Sequence, residues 1–173
     1  MMRVSLRPPQ PVGVESEAEY MDLELTEWIP PEQLIGRINE VLPAGISLTQ
    51  ARTLTTKVRS LNAAMREQVY AIDVRGDGME IFGDLPGRVT HLKNSPEVRI
   101  ERRRAKEQKS VDIRPFIKDI EVVAPNQLHL VTRFGQTSGS IRPSEVLQAL
   151  FPEGTSGWSA SRIRKVEAHF EVE

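Results

Sequence analysis

The sequence predicts an α+β protein organised as two units. Three observations predict it. Runs in which apolar and polar residues alternate with period two are interleaved with runs at helical spacing. Turns rich in proline and glycine separate them. A strand–strand–helix–strand group precedes residue 55 and a strand–helix–strands–helix–strand group follows residue 66, so helices fall between strands that hairpin back on each other. The expected units span 1–55 and 67–173, with 56–66 as connector.

Residues 3–7 alternate as a short strand. Pro8, Pro9 and Pro11 exclude the next stretch from a central ladder position, because proline has no N–H to donate. Residues 18–26 form a longer strand, with Met21, Leu23 and Leu25 on one face and Tyr20, Asp22, Glu24 and Thr26 on the other. Pro30 and Pro31 suit the first turn of a helix, where Glu32 meets the positive end of the helix dipole. Leu34, Ile35, Ile38, Val41 and Leu42 recur at helical spacing until Pro43 and Gly45 end the helix. A strand over 46–53 comes next. Residues 55–66, with Val58, Leu61 and Met65, read as one or two helical turns.

In the second unit, Tyr70, Ile72 and Val74 alternate as a strand that turns at Asp77-Gly78. Asp84 is placed to cap a helix over 85–94 that buries Leu85, Val89 and Leu92. A strand near 97–104 enters a basic turn, and its partner leaves at 110. Pro125-Asn126 joins 117–124 to 127–134 as a hairpin. Residues 135–139 are a polar loop. Pro143 opens a helix carrying Val146, Leu147, Leu150 and Phe151. After a Gly/Ser-rich loop at 153–160, Val166, Ala168, Phe170 and Val172 alternate as the final strand. This order predicts two ferredoxin-like (split βαβ) units, the first of them incomplete.

A chain of 173 residues can bury a core without covalent staples. It has no cysteine, which excludes disulfides, cysteine-ligated zinc, a thiol nucleophile and an iron–sulfur cluster held by its own thiolates. The N-terminal stretch M-M-R-V-S-L-R-P-P-Q-P lacks the apolar segment of a signal peptide, and no run approaches the roughly 18 apolar residues of a membrane span. The expected location is cytoplasmic, with no membrane partner. A net charge of −1 disfavours a uniformly basic nucleic-acid binder.

Charge is nevertheless uneven. Residues 1–60 and 61–98 each carry −2, residues 99–119 carry +4, and residues 120–173 carry −1. The positive segment contains Arg99, Arg102, Arg103, Arg104, Lys106 and Lys109, against Glu101 and Glu107. Such a patch can select a phosphate backbone, or it can be a solvated turn that keeps a sheet edge soluble. No aromatic residue lies between 99 and 115, so any nucleic-acid contact would be led by the backbone. Arg114 and Arg142 share the form Ile-Arg-Pro, which pushes each arginine towards extended geometry. Arg142 also opens a helix, beside Ser140 and Gly139, where exposed N–H groups favour an anion. The competing expectation is an internal salt bridge from Asp112 to one of these arginines. These eight cations are the candidate nucleic-acid or anion site. No catalytic, cofactor or metal residue is assigned.

His91, His129 and His169 are isolated and show no metal-ligand spacing. Asp73 to Gly78 resembles a calcium loop only superficially, since Arg75 occupies a ligand position. No phosphate-binding glycine loop and no GxSxG motif occurs.

Three segments carry a family resemblance: residues 11–25 (P-V-G-V-E-S-E-A-E-Y-M-D-L-E-L), 109–115 (K-S-V-D-I-R-P) and 140–147 (S-I-R-P-S-E-V-L). Together they resemble the bacterial radical-SAM-associated family, a domain of unknown function, over essentially the whole chain. The resemblance implies a radical-SAM protein as partner and no cofactor of the chain's own. It implies no assigned reaction. Without cysteine, the chain cannot itself hold a radical-SAM cluster. Relatives usually begin with about fifty further residues that include a strand, a His-Leu-Asp segment and a helix, so this chain is expected to be N-terminally truncated.

The expected function is a non-catalytic accessory module that helps a radical-SAM partner engage RNA or a ribonucleoprotein. The alternatives are a protein-interaction subunit without nucleic-acid contact and, by fold analogy alone, an RNA-processing nuclease. The missing elements leave an apolar face in residues 1–55 that invites a homodimer or a partner.

Overall fold

A sheet with one apolar face must bury it, and here two helices do so. The computed structural model describes residues 3–6, 11–56, 59–76, 84–104, 107–135, 140–152 and 158–171, with main chain alone at 3, 5, 6, 76, 103, 104, 107, 108, 158, 159 and 161. Its strands are β1 (Arg3–Leu6), β2 (Glu15–Ser16), β3 (Met21–Glu24), β4 (Met65–Gly76), β5 (Arg99–Arg104), β6 (Glu107–Asp112), β7 (Ile117–Ala124), β8 (Gln127–Arg133) and β9 (Trp158–Phe170). Its helices are α1 (Pro31–Asn39), α2 (Leu61–Ala64), α3 (Leu85–Asn94) and α4 (Pro143–Leu150), with a single 3₁₀ turn at Arg114–Phe116. The chain is a mixed α+β protein.

The main sheet has the order β2-β9-β4-β8-β7. Strand β4 runs antiparallel to both β8 and β9, β7 is antiparallel to β8, and β2 is parallel to β9. Gln68, Tyr70 and Ile72 lie opposite Thr132, Leu130 and Leu128, so these rungs share one face. On that face Leu85, Val89 and Leu92 of α3 and Val146, Leu147 and Leu150 of α4 join Tyr70, Ile72, Val74, Ile117, Ile120, Leu128, Leu130 and Ile163 in one core. Each such residue, fully buried, contributes about 1.5–3 kcal/mol, more than a typical surface ion pair. The Tyr70 phenol donates to Gln68 Oε1 at 3.0 Å. Burial, helped by Glu19, pushes its pKa up to about 12. The opposite face carries charged rungs such as Glu67 and His169, as expected of an antiparallel sheet wetted on one side.

Most expected elements are present with shifted ends. Two expectations are corrected. The strand over 46–53 is absent: this segment has no ladder partner, and Asn39 instead holds Leu48, its Nδ2 donating to the Leu48 carbonyl at 3.0 Å and its Oδ1 accepting the Leu48 N–H at 2.7 Å. Asp84 precedes α3 but makes no capping bond. One of the two N–H groups a capping side chain reaches is missing, because the second helical residue is Pro86. The Asp77-Gly78 turn, the core of the 135–139 loop and most of the 153–160 loop lie outside the described residues.

The final strand starts at Trp158, earlier than its sequence pattern indicates, and runs beside β4 over its whole length. Three register shifts between β4 and β9 break the alternation, so Ile163 and Lys165 are buried at the middle of the strand and Ala168, of the other parity, near its C-terminal end. The short parallel strand β2 has no period long enough to announce it. It is held by charge. Glu15 pairs with Arg162 at 2.7 Å, Glu17 with Arg164 at 2.8 Å, and Glu19 with the buried Lys165. Tyr20 closes the seam edge-on against Phe170, with ring centroids 4.7 Å apart.

Residues 21–54 contribute nothing to the core. Strand β3 pairs with β1 in a separate two-stranded sheet, and α1 has no buried residue. Amides in 18–42 are therefore expected to exchange with solvent faster than those in 110–134. Equal protection in hydrogen-exchange measurements at every protein concentration would contradict this division.

Candidate functional site

An antiparallel hairpin sends successive side chains to opposite faces, so the described cations Arg99, Arg102 and Lys109 do not share one face. In the β5–β6 ladder, Ile100 and Arg102 share a face with their opposite numbers Val111 and Lys109. Arg99 and Glu101 point the other way with Asp112 and Ser110. Ile100 is buried, so this face is turned into the protein at the base of the hairpin, while Lys109 farther along it is exposed.

Arg102 is thereby directed at α4. Its Nε donates to Glu145 Oε1 at 2.7 Å, and its Nη2 donates to Glu145 Oε2 at 2.9 Å and to the Ser140 carbonyl at 3.2 Å. Glu145 Oε2 also accepts the backbone N–H of Arg142 at 2.8 Å. One mostly buried carboxylate therefore neutralises both Arg102 and the first turn of α4. The anion expected at Ser140–Arg142 is supplied by the protein itself.

Arg114 is likewise engaged. Its guanidinium donates to the carbonyls of Lys93 (2.9 Å), Ser95 (3.2 Å) and Ile117 (2.9 Å). Lys93 and Ser95 end α3, so a cation sits at the negative end of that helix and fills carbonyls that lack helical partners. The salt bridge expected from Asp112 to Arg114 or Arg142 is not what Asp112 makes. Its Oδ1 accepts the N–H groups of Val98 (2.9 Å) and Arg114 (3.0 Å), fixing the base of the hairpin. Arg99 pairs with Glu97 at 2.6 Å on the surface.

Lys109 and Arg142 are exposed, and neither side chain has a hydrogen-bond or ion-pair partner among the described residues. The side chains of Arg103 and Arg104, and all of Lys106, lie outside those residues. The eight candidate cations thus divide. Arg102 and Arg114 are engaged within the fold, Arg99 forms a surface ion pair, and Lys109 and Arg142 face solvent.

The histidines do not converge with this group. His91 is exposed on α3 and His129 lies half-buried in β8. His169 meets Glu167 (2.9 Å) and Glu67 (3.4 Å) on the open sheet face, and Glu67 also binds Lys118 at 2.6 Å. The two carboxylates raise the His169 pKa above its ordinary 6.5, Glu167 first and Glu67 second. Lys118, and after it His169, hold Glu67 below its ordinary value. No group of three or more His, Asp or Glu able to hold a metal occurs among the described residues.

The other surface lies in residues 21–54. A cleft of about 350 Å³ opens between β3 and the residues after it, through Leu23, Leu25 and Trp28, and the segment Ala51–Leu54. Pro31 and Leu34 of α1 also line it. Trp28 is 73% exposed and Leu54 46%. Sequence reading overlooked it, although a lone tryptophan just before Ile29-Pro30-Pro31 was a visible signal.

The architecture is that of a mixed α+β protein with an open cleft in residues 21–54. The chain belongs to the bacterial family described as "Uncharacterized protein conserved in bacteria (DUF2344)", whose model matches residues 1–143. The resemblance seen in the sequence is upheld at that level. No curated protein and no solved structure matches the chain.

Two outcomes are expected. Arg102→Ala strips two charge-assisted bonds from a largely buried carboxylate and should cost about 1.5–3 kcal/mol in denaturant unfolding, whereas Lys109→Ala should be neutral. Equal effects would show that the Arg102–Glu145 contact contributes nothing. For His169, a folded pKa above the unfolded one means that its ion pairs stabilise fully below about 6.5 and lose that contribution as pH rises through the folded value. NMR titration should place His169 above 6.5, and Glu67→Gln should lower it; a midpoint unmoved by Glu67→Gln would remove Glu67 from the cause.

Proposed function

We propose that this protein is a non-catalytic accessory module that docks a protein partner through the cleft in residues 21–54. The partner, on the family resemblance, is a radical-SAM protein. One observation carries the reading. Of the eight large apolar residues left exposed among those described, seven lie in 1–55: Val4, Val12, Tyr20, Trp28, Val41, Ile46 and Leu54. Trp28 and Leu54 among them line the cleft, and exposed apolar surface of this kind marks interaction sites. Cytoplasmic residence belongs to the same proposal; among the described residues no helix is long and apolar enough to cross a membrane.

The reading extends to architecture. Residues 65–170 are taken as a ferredoxin-like unit with the β5–β6 hairpin inserted. Its support is the order β9-β4-β8-β7, antiparallel throughout, in which α3 leads from β4 to β7 across β8 and α4 leads from β8 to β9 across β4. Residues 1–55 are taken as the incomplete counterpart.

Engagement of RNA or a ribonucleoprotein by the same module is a second reading, supported by Lys109 and Arg142. These cations lie on elements joined through Arg102 and Glu145. Non-specific binding of this kind has a Kd of about 10⁻⁴–10⁻⁶ M and weakens steeply with salt.

Co-expression with the radical-SAM protein tests the first reading. Trp28→Lys and Leu54→Lys should abolish the complex on size-exclusion chromatography while leaving the Tm unchanged. A complex that survives both substitutions would sink the docking reading. For the second, Lys109→Ala with Arg142→Ala should weaken RNA binding and flatten its salt slope, whereas RNA affinity indifferent to salt would remove the cations from any such role.

A further inference from the structure

We infer that the segment between β1 and β3 is a charge-operated latch. It fastens the cleft-bearing residues 21–54 to the main sheet, and it opens as a unit while that sheet stays folded. The inference does not depend on the docking reading.

Connectivity is the first ground. Strand β1 pairs with β3 from Leu6 and Met21 outward, so both ends of the segment 7–20 are fixed at one place. The segment can lift without unzipping that small sheet. Between those ends only Glu15 and Ser16 enter the ladder of the main sheet, beside Arg164 and Lys165. The Glu17 N–H adds one further bond, donated to the Lys165 carbonyl at 2.9 Å. Among the described residues no other ladder joins residues 3–56 to the main sheet.

Charge complementarity is the second ground. Residues 15–19 place a carboxylate at every second position and hold no cation, and the facing stretch of β9 carries Arg162, Arg164 and Lys165. All three pairs are made: Glu15 with Arg162, Glu17 with Arg164 and Glu19 with Lys165. Apolar attachment is smaller. Ala18 is buried, Val14 packs partly against the core, and Tyr20 meets Phe170. Helices α3 and α4, by contrast, are each held by a row of buried apolar residues.

The three pairs differ in kind, and this is the third ground. Glu15–Arg162 and Glu17–Arg164 lie at the surface, where salt screens them. Lys165 is 1% exposed and its partner Glu19 43%. It stands opposite Tyr70, on the face that the helices cover, so its ammonium is out of water and needs a carboxylate. Glu19, after burial, also helps to raise the Tyr70 phenol, which shows that its charge is felt on that face. An apolar residue at 165 would serve stability as well. Lysine instead makes closure of the segment conditional on Glu19. Salt therefore loosens the two outer pairs, and the inner pair decides between closed and open.

The test follows amide exchange in the full chain by NMR, with amine acylation and mass spectrometry reading Lys165. Raising salt from about 0.05 M to about 1 M should speed exchange of the Glu17 amide and acylation of Lys165, while amides in 128–132 stay protected. Glu19→Gln should open the latch at low salt, by at least about tenfold in both readouts, because it strips the partner from a buried charge. Glu15→Gln with Glu17→Gln should do less. With Lys165→Met in place, Glu19→Gln should no longer affect Glu17 exchange. Protection indifferent to both salt and Glu19→Gln would overturn the inference. So would Glu17 exchanging only together with 128–132, outer variants matching Glu19→Gln, or an effect of Glu19→Gln that persists beside Lys165→Met. If Glu19→Gln does not fold, the salt series on the unaltered chain decides alone.

Discussion

The structure depends on the pairing of β4 with β9, strands from well separated parts of the chain. Strand β9 covers one edge of β4 and offers its outer edge to β2. Without it, β4 would be an exposed edge strand, and the acidic segment at 15–19 would have no Arg162, Arg164 or Lys165 to meet. Such a contact closes a long loop before it returns any stabilisation, so it is costly to form and cooperative once formed. Lys165 shows the consequence. A lysine 1% exposed in a sheet is tolerable because Glu19, carried by the N-terminal segment, reaches it from the surface.

Arginine distribution obeys the same logic. A basic run looks like a binding patch when read along the chain, yet strand alternation divides it between two faces, one of which is turned inward by Ile100. Arg102 then finds Glu145, and Arg114 finds the end of α3, because a half-buried guanidinium without acceptors would be expensive. Among the described cations at this end, Lys109 and Arg142 remain exposed.

The two parts of the molecule handle their surfaces differently. Around the main sheet, the large apolar side chains other than Val123 are mostly buried, and Glu15, Glu17, Glu67, Asp119 and Glu145 are paired. In residues 21–54, apolar side chains such as Trp28 and Leu54 stay exposed, and Asp22, Glu27, Glu32 and Glu40 have no ion-pair partner among the described residues. The second condition is unfavourable for an isolated domain and natural for half of an interface. The docking proposed above places its partner on this surface.

The sequence by itself determined the local elements. Periods of 2 and 3.6 and the proline and glycine punctuation are properties of neighbouring residues, so α1, α3, α4, the β5–β6 hairpin and the β7–β8 hairpin could be read directly, as could Leu85, Val89 and Leu92 as core residues. Absence of cysteine and uneven charge were equally plain. The tertiary structure alone decided what those residues meet. The extent of β9, the loss of the strand over 46–53, the role of Asp112 as a backbone acceptor and the cleft at Trp28 all depend on which distant segments lie side by side. Register shifts between β4 and β9 erase the alternation that would have disclosed the first half of the last strand. A guanidinium carries the same charge whether it faces a phosphate or Glu145, and only the packing of β5 against α4 chooses between them.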